Sequence, residues 1–166
     1  MRRIVDFRNG WRVGGHPLHV LLIHFPLALW SLVFPLEVAA WFFPWEEGWR
    51  LAYLANAAGS LASLPALVAG LPDLLALSDR PEASALANRH MLVMLGAATA
   101  FSFDLYWRWG AFRLRAAGAG VPEGGGEVII IMGLSLAGLL LLTWGGWMGG
   151  ELVFRHGAGQ SRQERE

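Results

Sequence analysis

Four apolar runs dominate the sequence, and each is long enough to cross a lipid bilayer as an α-helix. They cover residues 18–43, 51–77, 83–107 and 128–153, whereas about 20 residues of helix suffice to span the hydrocarbon core. A surface helix of a soluble protein would interrupt such runs with a polar face. The charged fraction of 16% agrees, since soluble domains carry about 25%. The sequence therefore predicts an all-α, four-helix transmembrane bundle over residues 18–153.

The distribution of arginine predicts the orientation of this bundle. The larger group of arginines precedes the first run, flanks the connection between the second and third, or follows the fourth: Arg2, Arg3, Arg8, Arg12, Arg80, Arg89, Arg155, Arg162 and Arg165. The smaller group lies on the opposite side: Arg50, Arg108, Arg113 and Arg115. Because cytoplasmic loops carry the excess of basic residues, the segments 1–17 and 154–166 are predicted to be cytoplasmic. The Gly- and Ala-rich connection 110–127 is expected to be flexible.

Composition excludes several classes of partner and site. The net charge is zero, so the chain lacks the surplus of cations that binding to nucleic-acid phosphates uses. The absence of cysteine excludes disulfides, iron–sulfur clusters and thiolate metal sites within the chain. Small residues recur every fourth position at Ala55, Gly59 and Ser63, which favours close helix packing. The same spacing occurs at Gly145 with Gly149 and at Gly146 with Gly150. The alternative interpretation of these glycines is a flat wall against a planar cofactor.

The histidines are predicted to gather at the cytoplasmic end of the bundle, although they are scattered along the chain. This follows from the up-and-down topology, which brings together His16, His19, His24, His90 and His156. Asp73 and Glu151 fall at the same end. His24 and His90 each lie roughly 9 Å inside their helices at 1.5 Å per residue. Ionisable residues inside a membrane are functional-site candidates.

Three stretches of the sequence carry a resemblance to a known family. They are "GHPLHVLLIHFPLALW", then "AGLPDLLAL" with "RPEASALANRH", and finally "GGWMGGELVFRHGAG". In order and position they resemble the bacterial predicted-membrane-protein family named domain of unknown function 2231. Residue by residue, the resemblance marks His16, Pro17, His19, His24, Pro26, Asp73, His90, Gly149, Gly150, Glu151, His156 and Gly157. It implies a multi-pass protein of the bacterial inner membrane.

The resemblance also bears on function. Some members of this family are joined to, or encoded beside, Rieske-type and other redox proteins, which implies electron transfer with a redox partner. One position departs from the family pattern, because Met94 stands where members often have asparagine. If that amide helps to build the family's site, the site of this chain is altered.

The leading hypothesis is a membrane-embedded b-type haem protein for electron transfer, either an electron carrier or one small subunit of a respiratory or redox assembly. His24 and His90 are its predicted axial ligands, because imidazoles on two helices can hold haem iron from both faces. His16, His19 and His156 form a second ligand set or support the first, and Asp73 or Glu151 orients an imidazole. The haem propionates are assigned to three arginines: Arg12, Arg89 and Arg155. Glycine-faced helices of this kind are compatible with a homo-oligomer.

Two other hypotheses remain open. A zinc or iron ion held by His24, His90, Asp73 and Glu151 would suit a transporter or a membrane enzyme. Alternatively, the polar residues only fix the helix register of a structural scaffold, each histidine contributing roughly 1 kcal/mol through a hydrogen bond across helices. At the opposite end lie Glu37, Asn56 and Asp104. Pairing with Arg50 or Arg108 and a proton exit are alternatives for them, but the sequence favours snorkelling or interhelical hydrogen bonds.

Overall fold

The computed structural model describes residues 5–6, 10–43, 45–114 and 125–159 and consists of four long helices. They are α1 (Leu18–Phe42), α2 (Glu46–Leu75), α3 (Pro81–Leu114) and α4 (Gly125–Phe154). The predicted all-α bundle is confirmed. Among the described helices, α1, α2 and α4 are long and apolar enough to cross a membrane.

The less apolar α3 carries two of its charges in the interior of the bundle. Asp104 is 0% exposed and Arg108 is 1% exposed, so neither charge faces the surroundings of the bundle. The helix also begins two residues earlier and ends seven residues later than the third apolar run. Pro81 occupies its first position, where the missing N–H of proline is tolerated. The helix continues to Leu114, so the connection predicted over 110–127 is partly helical, and residues 115–124 lie outside the described part.

A small antiparallel sheet precedes α1, which the sequence analysis did not predict. Its strands are β1 (Val5–Asp6), β2 (Gly10–Val13) and β3 (His16–Pro17). Gly14 and Gly15 connect β2 to β3 with φ values of 60° and 89°. Two consecutive positive φ angles form the tight two-residue hairpin turn that suits the twist of paired strands. The described residues of this segment, 5–6 and 10–17, thus form a folded cap on the bundle, since β2 packs against α2.

The four helices associate as two hairpins. α1 packs along α2 and α3 packs along α4, while α1 also contacts α4 and α2 contacts α3. This pattern places α1 and α3 at opposite corners of the bundle. Two aromatic rings join these corners at the centre, where Trp30 stacks on Phe101 with ring centroids 4.9 Å apart and an angle of 9° between planes.

Each helix presents an interior face with the seven-residue repeat of packed helix bundles. The repeat is continuous through buried and partly buried positions: His19, Pro26, Val33 and Ala40 in α1; Ala52, Gly59, Ala66 and Asp73 in α2; Ala83, His90, Ala97 and Asp104 in α3; Val128, Ser135, Leu142 and Gly149 in α4. Polar residues occur near both ends of this repeat, and apolar residues fill its middle. The interior therefore has two polar layers separated by an apolar one.

Candidate functional site

The first polar layer lies where α1 and α3 begin and α2 and α4 end, and we call it the histidine end. His19 and His90 are its partly buried imidazoles. His19 Nδ1 lies 2.8 Å from the carbonyl oxygen of Ala66 in α2, and His90 Nδ1 lies 2.8 Å from that of Gly145 in α4. A carbonyl oxygen can only accept, so Nδ1 carries the hydrogen in both rings. In the neutral ring, Nε2 then keeps its lone pair.

Two charged residues adjoin these imidazoles. Asp73 interacts electrostatically with His19 and with Arg12, and His19 interacts likewise with His90. The backbone of β2 covers this group, because a Cβ at Gly10 would overlap the Asp73 carboxylate. Arg12 extends from β2 and donates to the carbonyl oxygens of Gly15, at 3.2 Å, and of Gly159. The site is thus built from α1, α2 and α3 beneath the amino-terminal cap.

His24 is not part of this group. Its side chain is exposed on the outer surface of α1, so the predicted pairing of His24 with His90 across the interior is wrong within one chain. The reason is helical phase. His19 lies seven residues before the buried Pro26, whereas His24 lies two residues before it, on the other side of the helix. His19 takes the interior position that the sequence analysis assigned to His24.

The other predicted site residues lie around the histidine end without entering it. His16 is exposed in β3, and Arg89 is exposed near the start of α3. His156 is partly buried, and its carbonyl oxygen accepts a hydrogen bond from Arg80. Glu151 pairs with Arg155 at 2.8 Å, four residues further along the chain. Among the described residues, no three or more His, Asp or Glu side chains are grouped closely enough to hold a metal ion.

Glycines give the two interior imidazoles their space. A Cβ at Gly70 would lie 3.0 Å from His19 Nδ1, and one at Gly149 would lie 3.3 Å from His90 Cε1. Gly145 accommodates Met94 in the same way, because its Cβ would overlap the Met94 sulfur. Met94 packs against the aromatic layer and extends the apolar middle toward His90.

The second polar layer lies about 27 Å from His19 along α1, at 1.5 Å per residue, and we call it the buried network. All four helices contribute to it: Glu37 from α1, Asn56 from α2, Asp104 and Arg108 from α3, and Ser135 from α4. Each of these side chains is at most 1% exposed. The sequence analysis favoured interhelical hydrogen bonds for three of them, named Arg108 as a candidate partner and missed Ser135.

Arg108 is the centre of the buried network. Its Nε donates to both Asp104 carboxylate oxygens, at 3.1 and 3.0 Å, and its Nη2 donates to Glu37 Oε1. Its guanidinium carbon also lies 5.9 Å from the centroid of the Trp49 ring, within the range of a cation–π contact. Ser135 contacts the second Glu37 oxygen. The network therefore connects opposite corners of the bundle, since Glu37 is in α1 and Arg108 is in α3.

The seven-residue repeat is the sequence signal that finds both layers. Asp104 lies two repeats after His90, and Glu37 lies one repeat after Trp30. Followed back from Pro26, the repeat selects His19 over His24. Followed onward, it leads from Phe101 to Arg108 and from Val128 to Ser135, so both are predicted to face inward. Hydrophobicity alone hides this pattern, because the outer faces of the helices are as apolar as the inner ones.

Comparison with known proteins agrees with this architecture. No curated protein and no solved structure matches the chain. A sequence family described as "Predicted membrane protein (DUF2231)" matches residues 15–162, which include all four helices and both polar layers. The chain belongs to this family of predicted membrane proteins.

Proposed function

We propose that this membrane protein binds haem iron through Nε2 of His19 and Nε2 of His90, and that the bound haem serves in electron transfer. One observation carries the proposal: both imidazoles donate Nδ1–H to a backbone carbonyl oxygen and keep the Nε2 lone pair. Metal-ligating histidines have this arrangement, since a partner on the other ring nitrogen fixes the tautomer and the ring orientation. Among the described residues, neither Nε2 has a hydrogen-bond partner.

The chemistry of the donors fits haem iron better than a bare ion. Haem iron takes up to two axial ligands from the protein, whereas a structural zinc ion takes four. Grouped sets of three or more ligating side chains are missing from the described residues. The two histidines also belong to different hairpins, because His19 is bonded to α2 and His90 to α4. A group bound by both would lie where the two hairpins meet.

Unpartnered donors at the histidine end fit the carboxylates of a porphyrin. Arg12 Nε and Trp11 Nε1 are buried, and neither has a hydrogen-bond partner among the described residues. Such donors are rare in folded proteins, and each calls for an acceptor. Both belong to β2, which also contacts Asp73, so these donors lie on the cap beside the imidazoles. The bound haem would supply the one-electron chemistry. The chain would supply the iron ligands, hydrogen-bond donors to the haem carboxylates and a low dielectric.

The test is a visible spectrum of the full-length chain, purified in mild detergent after expression with a haem precursor. We expect a Soret band and, after reduction, the spectrum of six-coordinate haem with two imidazole ligands. His19→Ala and His90→Ala each lose this spectrum. His24→Ala is the matched control, because His24 is an exposed histidine of α1, and it keeps the spectrum.

Three outcomes contradict the proposal. Folded protein that takes up no haem, even when haemin is added, excludes haem binding. Loss of the spectrum in His24→Ala but not in His19→Ala refutes the assigned ligands. A stoichiometric zinc or iron ion without porphyrin, found by elemental analysis and lost in His90→Ala and Asp73→Ala, would identify a bare-metal site instead.

A further inference from the structure

We infer that the buried network is a proton-binding site, in which Glu37 holds a proton on Oε2 at neutral pH while Asp104 stays ionised. The inference concerns the polar layer far from the histidines and does not depend on haem binding. It follows from the charge balance of the network and from the hydrogen-bonding capacity of each atom that contacts the two carboxyl groups.

The charge balance of the network requires one additional positive charge. Two carboxyl groups, Glu37 and Asp104, contact one guanidinium, Arg108, and Arg108 is the cation that contacts them among the described residues. All three side chains are fully buried. A buried charge without compensation is so unfavourable that the group takes up a proton instead. One of the two carboxyl groups is therefore neutral.

The contacts of Asp104 show that it is the ionised group. Its oxygens meet Arg108 Nε, at 3.1 and 3.0 Å, and Asn56 Nδ2, at 2.6 Å. The orientation of the Asn56 amide is fixed, because Nδ2 also lies 2.9 Å from the carbonyl oxygen of Phe101 and Oδ1 accepts from Ser60. Both contacts of the Asp104 carboxylate within the described part of the chain are thus with N–H donors. A proton on Asp104 would have no acceptor among them.

The contacts of Glu37 provide a place for the proton. Glu37 Oε1 accepts from Arg108, and Oε2 contacts Ser135 Oγ. Ser135 Oγ also lies 3.2 Å from the carbonyl oxygen of Met132. A hydroxyl has one hydrogen and can also accept. When Ser135 donates to Met132, its lone pair can accept a proton that Glu37 carries on Oε2, and every group in the network is then paired.

Infrared spectroscopy of the full-length chain in detergent tests this assignment, because a protonated carboxyl group has a C=O stretching band that a carboxylate lacks. The protein is made by cell-free synthesis with glutamate or aspartate labelled with ¹³C at the side-chain carboxyl carbon. We expect a carboxylic acid band at neutral pH that moves to lower wavenumber with labelled glutamate. Labelled aspartate should leave this band unchanged.

Three variants locate the proton. Glu37→Gln removes the glutamate band, whereas Glu151→Gln, which changes a glutamate paired with Arg155 at the other end of α4, retains it. Ser135→Ala removes the acceptor and shifts the band to higher wavenumber. The labelling of the native chain and the Ser135→Ala variant decide the question even if Glu37→Gln does not fold.

The inference is overturned by any of four results. The first is the absence of a glutamate-sensitive acid band in the native chain, and the second is persistence of the band in Glu37→Gln. The third is a band that keeps its position in Ser135→Ala. The fourth is a single acid band that moves with labelled aspartate and disappears in Asp104→Asn. The first result would mean that a bound cation other than a proton balances the network, and the last would exchange the roles of the two carboxyl groups.

Discussion

Replacing Gly138 by alanine is the most direct test of the packing that holds α1 and α3 in place. A Cβ at Gly138 would lie 2.8 to 3.0 Å from three carbons of the Phe101 ring, whereas ordinary carbon contacts are about 3.5 to 4.0 Å. The ring cannot retreat, because it is 0% exposed and stacks on Trp30. Trp30 is confined in turn by Gly59, where a Cβ would lie 2.8 Å from its ring.

The expected loss of stability follows from this confinement. Overpacking of a close-packed interior costs about 1–3 kcal/mol. Alanine also favours the helix by about 1 kcal/mol relative to glycine, so Gly138→Ala needs a control that shares this gain. Gly146→Ala is suitable, because Gly146 is in the same helix and has nothing within 4 Å of its Cβ position. Gly138→Ala should therefore be less stable than Gly146→Ala by about 1–3 kcal/mol.

The two variants are compared by unfolding in one detergent, followed by near-ultraviolet circular dichroism, which reports the packing of the aromatic rings. A second change, Phe101→Leu, should offset part of the loss in Gly138→Ala, since neighbouring residues that share one space have coupled free energies of unfolding. Equal stability of the Gly138→Ala and Gly146→Ala proteins would refute the conclusion that Phe101 is confined between α4 and Trp30.

Three further predictions concern other layers of the molecule. Arg108→Gln should lower the free energy of unfolding by about 3–5 kcal/mol, because it leaves Asp104 buried without its partner. Arg155→Gln breaks an exposed pair and should change this free energy by no more than about 1 kcal/mol. Chemical or thermal unfolding measures both effects. Trp30→Ala should lower the free energy of unfolding by about 3–5 kcal/mol. Trp30→Phe should lower it far less, since it keeps a ring for stacking and loses only a 3.4 Å hydrogen bond to Ser60. Similar losses of stability in both variants would contradict the importance of the stack. Gly14→Val should speed hydrogen exchange at Val13 and His16 without changing the stability of the bundle. The reason is that φ at Gly14 is 60°, and β-branched residues avoid positive φ angles. Unchanged exchange would contradict the assigned turn.

The sequence predicted the helices and the gathering of the histidines, but it did not predict which histidine faces inward. Length and hydrophobicity were enough for the first result, since a bilayer requires runs of about 20 apolar residues. The up-and-down arrangement of four helices was enough to predict that the histidines gather at one end. The choice between His19 and His24 depends on helical phase. The buried face of α1 is mostly apolar, like its exposed face, so hydrophobicity does not reveal that phase.

The buried network was hard to predict because its members are distant in the chain and belong to different helices. Asp104 and Arg108 are the exception, since their spacing of four residues brings them to one helix face. Ser135 has no such local sign, and serine is common in membrane helices for packing alone. Only the position of Ser135 in the seven-residue repeat of α4 indicates that it faces the interior.

The apolar middle layer couples the two polar layers, because the same two helices carry the central residue of each. His90, Phe101 and Arg108 are in α3, and His19, Trp30 and Glu37 are in α1. The aromatic stack sets the separation of these helices at the centre, and the ion pair of Arg108 with Glu37 sets it at one end. Because His90 in α3 is hydrogen-bonded to Gly145 in α4, we expect a side chain that displaces Phe101 from α4 to strain this contact as well. Changes in the packing of the middle layer should therefore alter the site at the histidine end, although no residue of that layer belongs to it.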